Sequence, residues 1–274
     1  MAISQNEKAQ AFRALHQKSE IFVLGNAWDA GSTRLLAGLG YKAIATSSGA
    51  AAGTLGRRDG QITRNEAMAH CSAIAGATDL PVSADLESCF SADAAGVAET
   101  IRLAAATGLV GGSIEDATGD PAQPLYPLEE AVARVTAAVG AARRLAFPFT
   151  LTARTENFLR GNPDLDDTIR RLLAFQTAGA DVLMAPGLPD LDAVGKVCAA
   201  VSLPINFMAG IPDKTFSIAE LAAAGVKRVS LATSLYRAAM TGMITAAREA
   251  QDHGTFGYLN TLVPTPTFNA LMGG

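Results

Sequence analysis

The chain has 274 residues, of which 49% are hydrophobic and 18% charged, and its formal net charge is −4. This is the composition of a globular protein, and the lack of any lysine- or arginine-rich run argues against nucleic-acid binding. The polar start has no signal-peptide core and no apolar run approaches the ~20 residues that span a bilayer, so we expect a cytoplasmic protein that does not enter membranes.

Along the chain, short segments rich in β-branched or apolar residues alternate with longer helical patterns. The predicted strands are 21–27, 42–48, 81–87, 111–116, 149–155, 181–186, 204–208 and 228–233, and the predicted helices are 30–38, 64–76, 93–106, 128–144, 166–177, 190–200, 217–223 and 234–252. Gly40, Gly108, Gly179 and Gly225 each follow a helical pattern and precede the next strand. This is where a glycine in left-handed conformation ends a helix.

Eight strand–helix units without an intervening linker predict an α/β fold, a closed (β/α)8 TIM-type barrel that forms one domain over 1–274. The alternative is an open, doubly wound sheet. Such a sheet normally carries a glycine-rich phosphate-binding turn after its first strand. The first turn here, "GNAWDAGS", matches that pattern poorly, so we favour the barrel.

Acidic residues gather where the predicted strands end, and in a (β/α)8 barrel these ends form the active-site face. Asp85 and Glu87 lie two apart in "PVSADLE", a spacing that points both side chains the same way on a strand. Glu115 ends the next strand, and Asp59 lies in the loop after the second strand. Four converging acids repel each other unless a cation lies between them. Oxygen ligands of this kind suit Mg²⁺, with Mn²⁺ as an alternative, often through retained waters.

Two polar residues at the same face are candidates for substrate binding. Arg154 ends the fifth strand in "TART", and its planar guanidinium fits a substrate carboxylate. Asn206 lies on the seventh strand, where substrate contact and loop hydrogen bonding are equally good interpretations. The competing interpretation of the acids is a structural ion-pair network with Arg154, and Asp59 alone also fits a turn or helix cap.

Cysteine and histidine spacing indicates no other metal site. The three cysteines (71, 89 and 198) are far apart from one another in sequence and odd in number, and none of the three histidines (16, 70 and 253) is near another histidine. This pattern predicts neither a disulfide framework nor a CxxC site.

Several segments together resemble the isocitrate lyase/phosphoenolpyruvate mutase superfamily, in the same order, over about residues 20 to 235. They are "GNAWDAGSTRLLAGLGYKAIATSSG", "LGRRDG", "LPVSADLE", "GGSIED", "LTARTE" and "AGADVLMAPGL". The resemblance implies a (β/α)8 barrel, a tetramer with an exchanged C-terminal helix, and a Mg²⁺ site that serves 2-oxo or 2-hydroxy acids.

The resemblance also implies roles for individual residues. The metal-site acids, which bind partly through water, fall on Asp59, Asp85, Glu87 and Glu115. Ser47, with the backbone amides of Ser48 and Gly49, corresponds to the loop that binds the substrate carboxylate. Arg154 corresponds to the arginine that contacts the enolate or carboxylate, and Asn206 to an asparagine that contacts the substrate. The shared chemistry is an enolate-like pyruvate held beside Mg²⁺ while a C–C or P–C bond breaks, with the metal acting as a Lewis acid.

The chain departs from the superfamily pattern in two loops. The D-x-D-x-G-Y-G pattern of strand three reads "DLESCFS", so Glu87 replaces an aspartate and Cys89 and Ser91 replace glycines. The gate loop after strand four reads "EDATGDPAQPLYPLEE" and contains neither the lyase K-[KR]-C-G-H motif nor the mutase K-x-N-S motif. Tyr126 and Asp120 are its only candidate proton donors, and its three prolines suit a stiff lid.

These observations predict a Mg²⁺-dependent lyase that cleaves a C–C bond of a small 2-oxo or 2-hydroxy carboxylic acid. Decarboxylation of an oxaloacetate-like acid ranks first, because it needs no dedicated base. Isocitrate- or methylisocitrate-lyase-like cleavage comes next, and phosphonopyruvate mutase or hydrolase chemistry last. A barrel that binds oxo acids without turnover is the alternative from another class. We expect a homo-oligomer, dimer or tetramer, with a small carboxylate as its substrate.

Overall fold

The computed structural model describes residues 3–273, in which eight parallel strands close into a barrel in chain order. The strands are β1 (Phe22–Ala27), β2 (Ile44–Thr46), β3 (Val82–Asp85), β4 (Gly111–Glu115), β5 (Thr150–Arg154), β6 (Val182–Met184), β7 (Ile205–Met208) and β8 (Arg228–Ser230). β8 pairs with β1 and closes the sheet. The predicted (β/α)8 barrel is therefore confirmed.

Eleven α-helices occur in residues 3–273. They are α1 (Gln5–Gln17), α2 (Ala30–Gly38), α3 (Ser48–Thr54), α4 (Arg64–Ala75), α5 (Ala94–Ala106), α6 (Leu128–Ala142), α7 (Leu165–Thr177), α8 (Leu191–Ala200), α9 (Ile218–Ala223), α10 (Ser234–Arg248) and α11 (Thr265–Met272). The sequence patterns did not predict α1, α3 or α11. None of the helices in this described part is long and apolar enough to cross a bilayer.

The four glycines expected to end helices have the predicted conformation. Gly40, Gly108, Gly179 and Gly225 have φ values of +88°, +98°, +98° and +97°. A left-handed residue costs a side chain about 1–2 kcal/mol, which glycine avoids. Each glycine lets the chain turn from its helix directly into the next strand.

Helix α1 closes the barrel end at which the strands begin. Phe12 is fully buried and packs with Leu24 of β1 and Val110, just before β4. A Cβ on Gly111 would come within 3.0 Å of the Phe12 ring and 2.8 Å of the Thr150 carbonyl oxygen. With this end closed, the opposite end, where the strands finish, is the open mouth.

Candidate active site

A cavity of about 610 Å³ lies at the mouth of the barrel. Its walls carry all four acids predicted for a metal site, Asp59, Asp85, Glu87 and Glu115, together with Arg154. The parallel strands bring these residues together because their carboxyl ends share one face of the barrel. The site therefore contains the acid set that the sequence indicated.

Asp85, the last residue of β3, is held by the loop that follows β2. Its Oδ2 accepts hydrogen bonds from the Ser48 amide at 3.1 Å and the Ser48 hydroxyl at 2.8 Å. Its own amide donates to Thr46 Oγ1 at 3.0 Å. The Ser48 amide, which the resemblance assigned to a substrate carboxylate, is thus already bonded to Asp85. The reason is the short β2–α3 connection, which places the first turn of α3 beside the end of β3.

Ser47 and Gly49 flank this contact. The Ser47 hydroxyl caps α3 by accepting from the Ala50 amide at 3.3 Å. A Cβ on Gly49 would lie 3.0 Å from Asp59 Cγ and 3.0 Å from Thr233 Cγ2, so only glycine lets these walls approach each other. In the described residues the Gly49 amide has no acceptor, which leaves it for a ligand in the cavity.

Glu87 does not extend the strand, which is a correction to the predicted boundary. β3 ends at Asp85, and Glu87, Cys89 and Phe90 have φ values of +50°, +62° and +51°. The alternation that would align Asp85 with Glu87 therefore stops at the strand end. Glu87 reaches the cavity from a turn instead, and its buried Oε1 has no hydrogen-bond partner in the described structure.

Arg134 of α6 holds this turn in its left-handed conformation. Its guanidinium donates to the carbonyl oxygens of Ser88 at 2.6 Å, Ser91 at 2.8 Å and Ala92 at 2.9 Å. The neighbouring Cys89 is completely buried in the hydrophobic core, where burial raises the pKa of its thiol to about 12, so this cysteine is a packing residue. The three hydrogen bonds from Arg134 to backbone carbonyl oxygens stabilise this turn, in which Cys89 and Ser91 replace glycines of the superfamily pattern.

Arg154, the last residue of β5, lies among carboxylates. Its Nε is 3.5 Å from Glu115 Oε2 and also bonds Glu156, which is completely buried. Arg160 reaches the same two acids, at 3.6 Å from Glu115 and 3.4 Å from Glu156. The sequence analysis did not identify Glu156, although it lies two residues after the strand end in "LTARTE".

Acidic groups outnumber basic groups in this site: the four cavity acids and Glu156 lie near Arg154 and Arg160, and the third arginine of the cavity wall, Arg228, bonds Asn206. Burial, together with the nearby charges of Asp85 and Asp59, raises the pKa of Glu87 to about 7. Burial also raises the pKa of Glu115, an effect that Arg154 opposes and Glu156 and Asp85 reinforce. Burial alone would lower the pKa of Arg154, but the surrounding carboxylates raise it above its usual value.

This donor set fits Mg²⁺ held partly through water. A divalent cation would relieve the excess negative charge and supply a partner for the orphaned Glu87 Oε1. In residues 3–273, no three acid, histidine or cysteine side chains are close enough to ligate one ion together. The acids therefore fit a Mg²⁺ ion that is bound directly by one or two carboxylates and has water at its remaining coordination positions. They do not fit an ion bound directly by all four acids.

The loop after β4 places neither predicted proton donor in the cavity. The Tyr126 ring lies under the Arg134 guanidinium, 4.1 Å from it, and its backbone is tied to Asp116 and Arg171. Asp120 is exposed and accepts from the Ala122 amide at 2.8 Å. The cavity wall receives Thr118 and Gly119 from this loop instead. We therefore do not retain the catalytic role predicted for Tyr126.

Asn206 on β7 lies in the cavity wall but is engaged by the protein on both sides. Its Oδ1 accepts from Arg228 Nε at 2.8 Å, and its Nδ2 donates to Ser230 Oγ at 2.9 Å. The sequence analysis missed Arg228 and Ser230. The inward alternation of β8, in "RVS", is the signal that could have found both.

The chain is similar in sequence and fold to several known proteins. The family model described as phosphoenolpyruvate phosphomutase matches residues 12–251. A Burkholderia cenocepacia J2315 structure, provisionally described as a lyase/mutase, is 49% identical, with a TM-score of 0.96, over 98% of this chain and 97% of that one. An oxaloacetate decarboxylase from Chromohalobacter salexigens is 30% identical over 91% of this chain and 87% of its own length.

Two further proteins extend the comparison. The 2-methylisocitrate lyase of Escherichia coli is 30% identical over 86% of this chain and 82% of its own length. A phosphonopyruvate hydrolase shares the fold at a TM-score of 0.85 and 22% identity, over 97% of this chain and 94% of that one, in a complex with oxalate and Mg²⁺. The chain belongs to the phosphoenolpyruvate phosphomutase family, within the isocitrate lyase/phosphoenolpyruvate mutase superfamily that its motifs indicated.

Proposed function

We propose that this member of a lyase superfamily is a Mg²⁺-dependent carbon–carbon lyase that decarboxylates a small 2-oxo dicarboxylate of the oxaloacetate type. The observation that carries the proposal is the cavity itself. It combines an excess of carboxylates with Arg154, yet the gate loop brings no acid or base into it. Decarboxylation suits such a site, because the breaking bond releases CO2 and needs no base to start.

The protein side of the mechanism follows from the contacts. Asp85, oriented by Ser48, would hold the cation together with Glu87 and Glu115, with Asp59 behind them, one or two of these carboxylates directly and the others through water. Bound there, Mg²⁺ supplies Lewis-acid stabilisation of negative charge on a substrate oxygen. Arg154, oriented by Glu156, binds the developing enolate or a carboxylate. The Gly49 amide adds one donor for a ligand oxygen.

In the proposed reaction, the bond between the substrate's methylene carbon and its distal carboxylate breaks. Its electron pair moves into the enolate, and the 2-oxo oxygen becomes negative. Arg154 neutralises that oxygen, and protonation at carbon by solvent then gives the 2-oxo monocarboxylate. The chain's residues bind and orient the substrate but transfer no proton at the bond-breaking step.

The test is an assay of purified protein with oxaloacetate. We expect pyruvate and CO2 to form in the presence of Mg²⁺, and activity to fall to the uncatalysed rate after EDTA treatment and return on adding Mg²⁺ in excess. EDTA already saturated with Ca²⁺ is the control for effects of the chelator itself. Turnover that survives metal removal would contradict the proposal.

A second outcome of that assay would favour the non-catalytic alternative. Oxo acids that raise the melting temperature in the presence of Mg²⁺, without product from any oxo acid tested, would identify a binding protein. Product from phosphonopyruvate but not from oxaloacetate would move the activity to P–C bond cleavage, the last-ranked alternative.

We further propose that the protein is a homo-oligomer built through its C-terminal helices. Helix α10 has no buried residue in the isolated chain, and Met243 on it is 58% exposed. The segment after α10 exposes four large apolar side chains to a similar extent: Phe256, Leu259, Leu262 and Val263. Apolar exposure on this scale is typical of an interface. The helix exchange implied by the superfamily stays a prediction.

The oligomer can be tested by light scattering after size-exclusion chromatography. We expect a dimer or tetramer for the wild type and a smaller species for Met243→Glu, since a charge buried in an apolar interface opposes association. Leu39→Glu, at a site outside the C-terminal helices that is 63% exposed, is the matched control. A monomeric wild type would contradict the proposal.

The cytoplasmic location and the single-domain organisation over 1–274 also stay predictions.

A further inference from the structure

Asp116 is a buried carboxylate that lies just outside the wall of the cavity. It follows Glu115, the last residue of β4, is 2% exposed and does not itself line the cavity. Its Oδ1 accepts a hydrogen bond from the Glu156 amide at 2.8 Å. Its Oδ2 lies 2.8 Å from the Thr155 hydroxyl and 3.1 Å from Arg171 Nη1. Asp116 therefore joins the end of β4 to the segment that follows β5.

Arg171 of α7 is the cation that pairs with Asp116. Its Nη1 also donates to the Tyr126 carbonyl oxygen at 3.0 Å, and its Nε donates to Asp167 Oδ2 at 2.9 Å. Arg171 is 8% exposed, so its guanidinium is buried between two carboxylates and a backbone carbonyl. Because the guanidinium is planar and its donors point in fixed directions, these partners hold it in one orientation.

The contacts of Asp116 lead to Arg154, the arginine at the end of β5 that lines the cavity. The Asp116 amide donates to the Arg154 carbonyl oxygen at 3.1 Å, so Asp116 bonds three consecutive residues, 154, 155 and 156. Glu156, whose amide it binds, bonds Arg154 Nε through its own carboxylate. Asp116 thus fixes both the backbone of Arg154 and the acid that orients its side chain.

The same pair closes the base of the gate loop. The Asp116 carbonyl oxygen accepts from the Tyr126 amide at 2.9 Å, and Ala117 pairs with Leu125 one position further into the loop. Arg171 binds the Tyr126 carbonyl oxygen from α7. The loop therefore starts and ends at Asp116 and Arg171.

Stability alone does not account for this pair. A buried ion pair adds little net stability compared with apolar residues of similar volume, because both charges lose their water. The hydrogen bonds of Asp116 and Arg171 instead reach the segment that carries Arg154 and the loop beside it.

We propose that Asp116 and Arg171 are positioning residues for the reaction, which hold Arg154 and the base of the gate loop in the geometry that receives a negative enolate oxygen. Donors that are already in place when charge develops stabilise it without reorganisation. Neither residue touches the substrate, and both act through Arg154. The inference rests on the proposed function, because it concerns the arginine of the same cavity.

The first variant is Arg171→Lys. Lysine keeps a positive charge beside Asp116 but lacks the planar fork that also reaches Asp167 and Tyr126. We expect kcat for oxaloacetate to fall about 10- to 100-fold with little change in KM, since a misplacement of ~1 Å caused away from the reacting atoms costs up to about 10²-fold. Calorimetric titration of oxalate, a mimic of the pyruvate enolate, in Mg²⁺ should show a loss of affinity. Unchanged kcat and oxalate affinity in a folded but less stable variant would show a structural role and overturn the inference.

The matched control is Arg170→Lys. Arg170 precedes Arg171 on α7, pairs with the other carboxylate oxygen of Asp167 and has a side chain that is 67% exposed. This variant makes the same chemical change on the same helix and should keep wild-type kcat and oxalate affinity. Losses as large as those of Arg171→Lys would overturn the inference, because they would not depend on contact with Asp116.

Asp116→Asn tests the carboxylate and keeps the question open to experiment if Arg171→Lys does not fold. The side-chain shape is retained, but the new amide nitrogen must face either the Glu156 amide or the Arg171 guanidinium, which are both donors. We expect the same losses of kcat and oxalate affinity, and wild-type values would overturn the inference.

A double-mutant cycle with Arg154→Lys tests whether the pair acts through Arg154. If it does, Arg171→Lys should lower kcat little further once Arg154→Lys is present, because both changes remove the same interaction. Additive losses would overturn action through Arg154. An active wild type with wild-type kinetics in both Arg171→Lys and Asp116→Asn would overturn this inference alone, whereas a wild type that neither binds oxalate nor turns over oxaloacetate would contradict the proposed function.

Discussion

Asp85→Asn should lower kcat/KM for oxaloacetate by about 10³-fold or more, which is the largest effect that we expect from one substitution. Asparagine preserves the shape and can still accept from Ser48, whose two hydrogen bonds hold this side chain. The change removes one negative charge at the proposed cation site. Losing Lewis-acid stabilisation removes several kcal/mol, and about 4 kcal/mol corresponds to 10³ in rate.

Steady-state kinetics at increasing Mg²⁺, together with calorimetric titration of Mg²⁺, measure the effect. Asp79→Asn is the matched control, since Asp79 is 68% exposed and pairs with Lys8 at 3.7 Å, away from the cavity. That variant should behave as wild type. An Asp85→Asn protein with unchanged Mg²⁺ affinity would show that the acids form an ion-pair network with Arg154 and do not hold a metal.

Arg154→Lys should reduce kcat/KM by about 10²- to 10³-fold, the typical effect of removing one donor from a developing oxyanion. Lysine keeps the positive charge beside Glu115 and Glu156, so the fold should survive. It loses the planar fork that binds a carboxylate or enolate through two parallel hydrogen bonds. The kinetic loss should therefore be much larger than the loss of stability.

A second substitution separates catalysis from folding at this position. Arg154→Met removes the guanidinium that bonds the completely buried Glu156. Removing one partner of a buried ion pair lowers the free energy of unfolding by about 3–5 kcal/mol. Urea denaturation should therefore show a large loss for Arg154→Met and a small one for Arg154→Lys. Arg143→Lys, whose native residue pairs with Asp181 at 2.7 Å near the other end of the barrel, should leave kcat/KM unchanged. Equal kinetics for wild type and Arg154→Lys would remove Arg154 from substrate binding.

Much of this protein could be predicted before its structure was known. The alternation of apolar segments with helical patterns, and the glycines between them, are local signals, because strand and helix periods and left-handed turns depend on neighbouring residues. Closure of the barrel followed from the eight strand–helix units, and the gathering of Asp59, Asp85, Glu87 and Glu115 at its mouth followed from the rule that parallel strand ends share one face. The same rule predicted Arg154 and Asn206 at this face, and the superfamily motifs extended the prediction to Ser47, Ser48 and Gly49.

The contacts of those residues could not be predicted, because they depend on atoms distant in sequence. Ser48 donates to Asp85 across 37 positions, and Arg228 reaches His16 across 212. Glu87 lies outside the predicted strand because the turn beyond Asp85 has a left-handed backbone conformation, which Arg134 of α6 stabilises through hydrogen bonds. Tyr126 does not line the cavity as predicted, because its ring packs under the guanidinium of Arg134. Periodicity and composition specify the barrel and the face that carries the chemistry, whereas hydrogen-bond direction and charge balance inside the mouth arise only when the eight strands close.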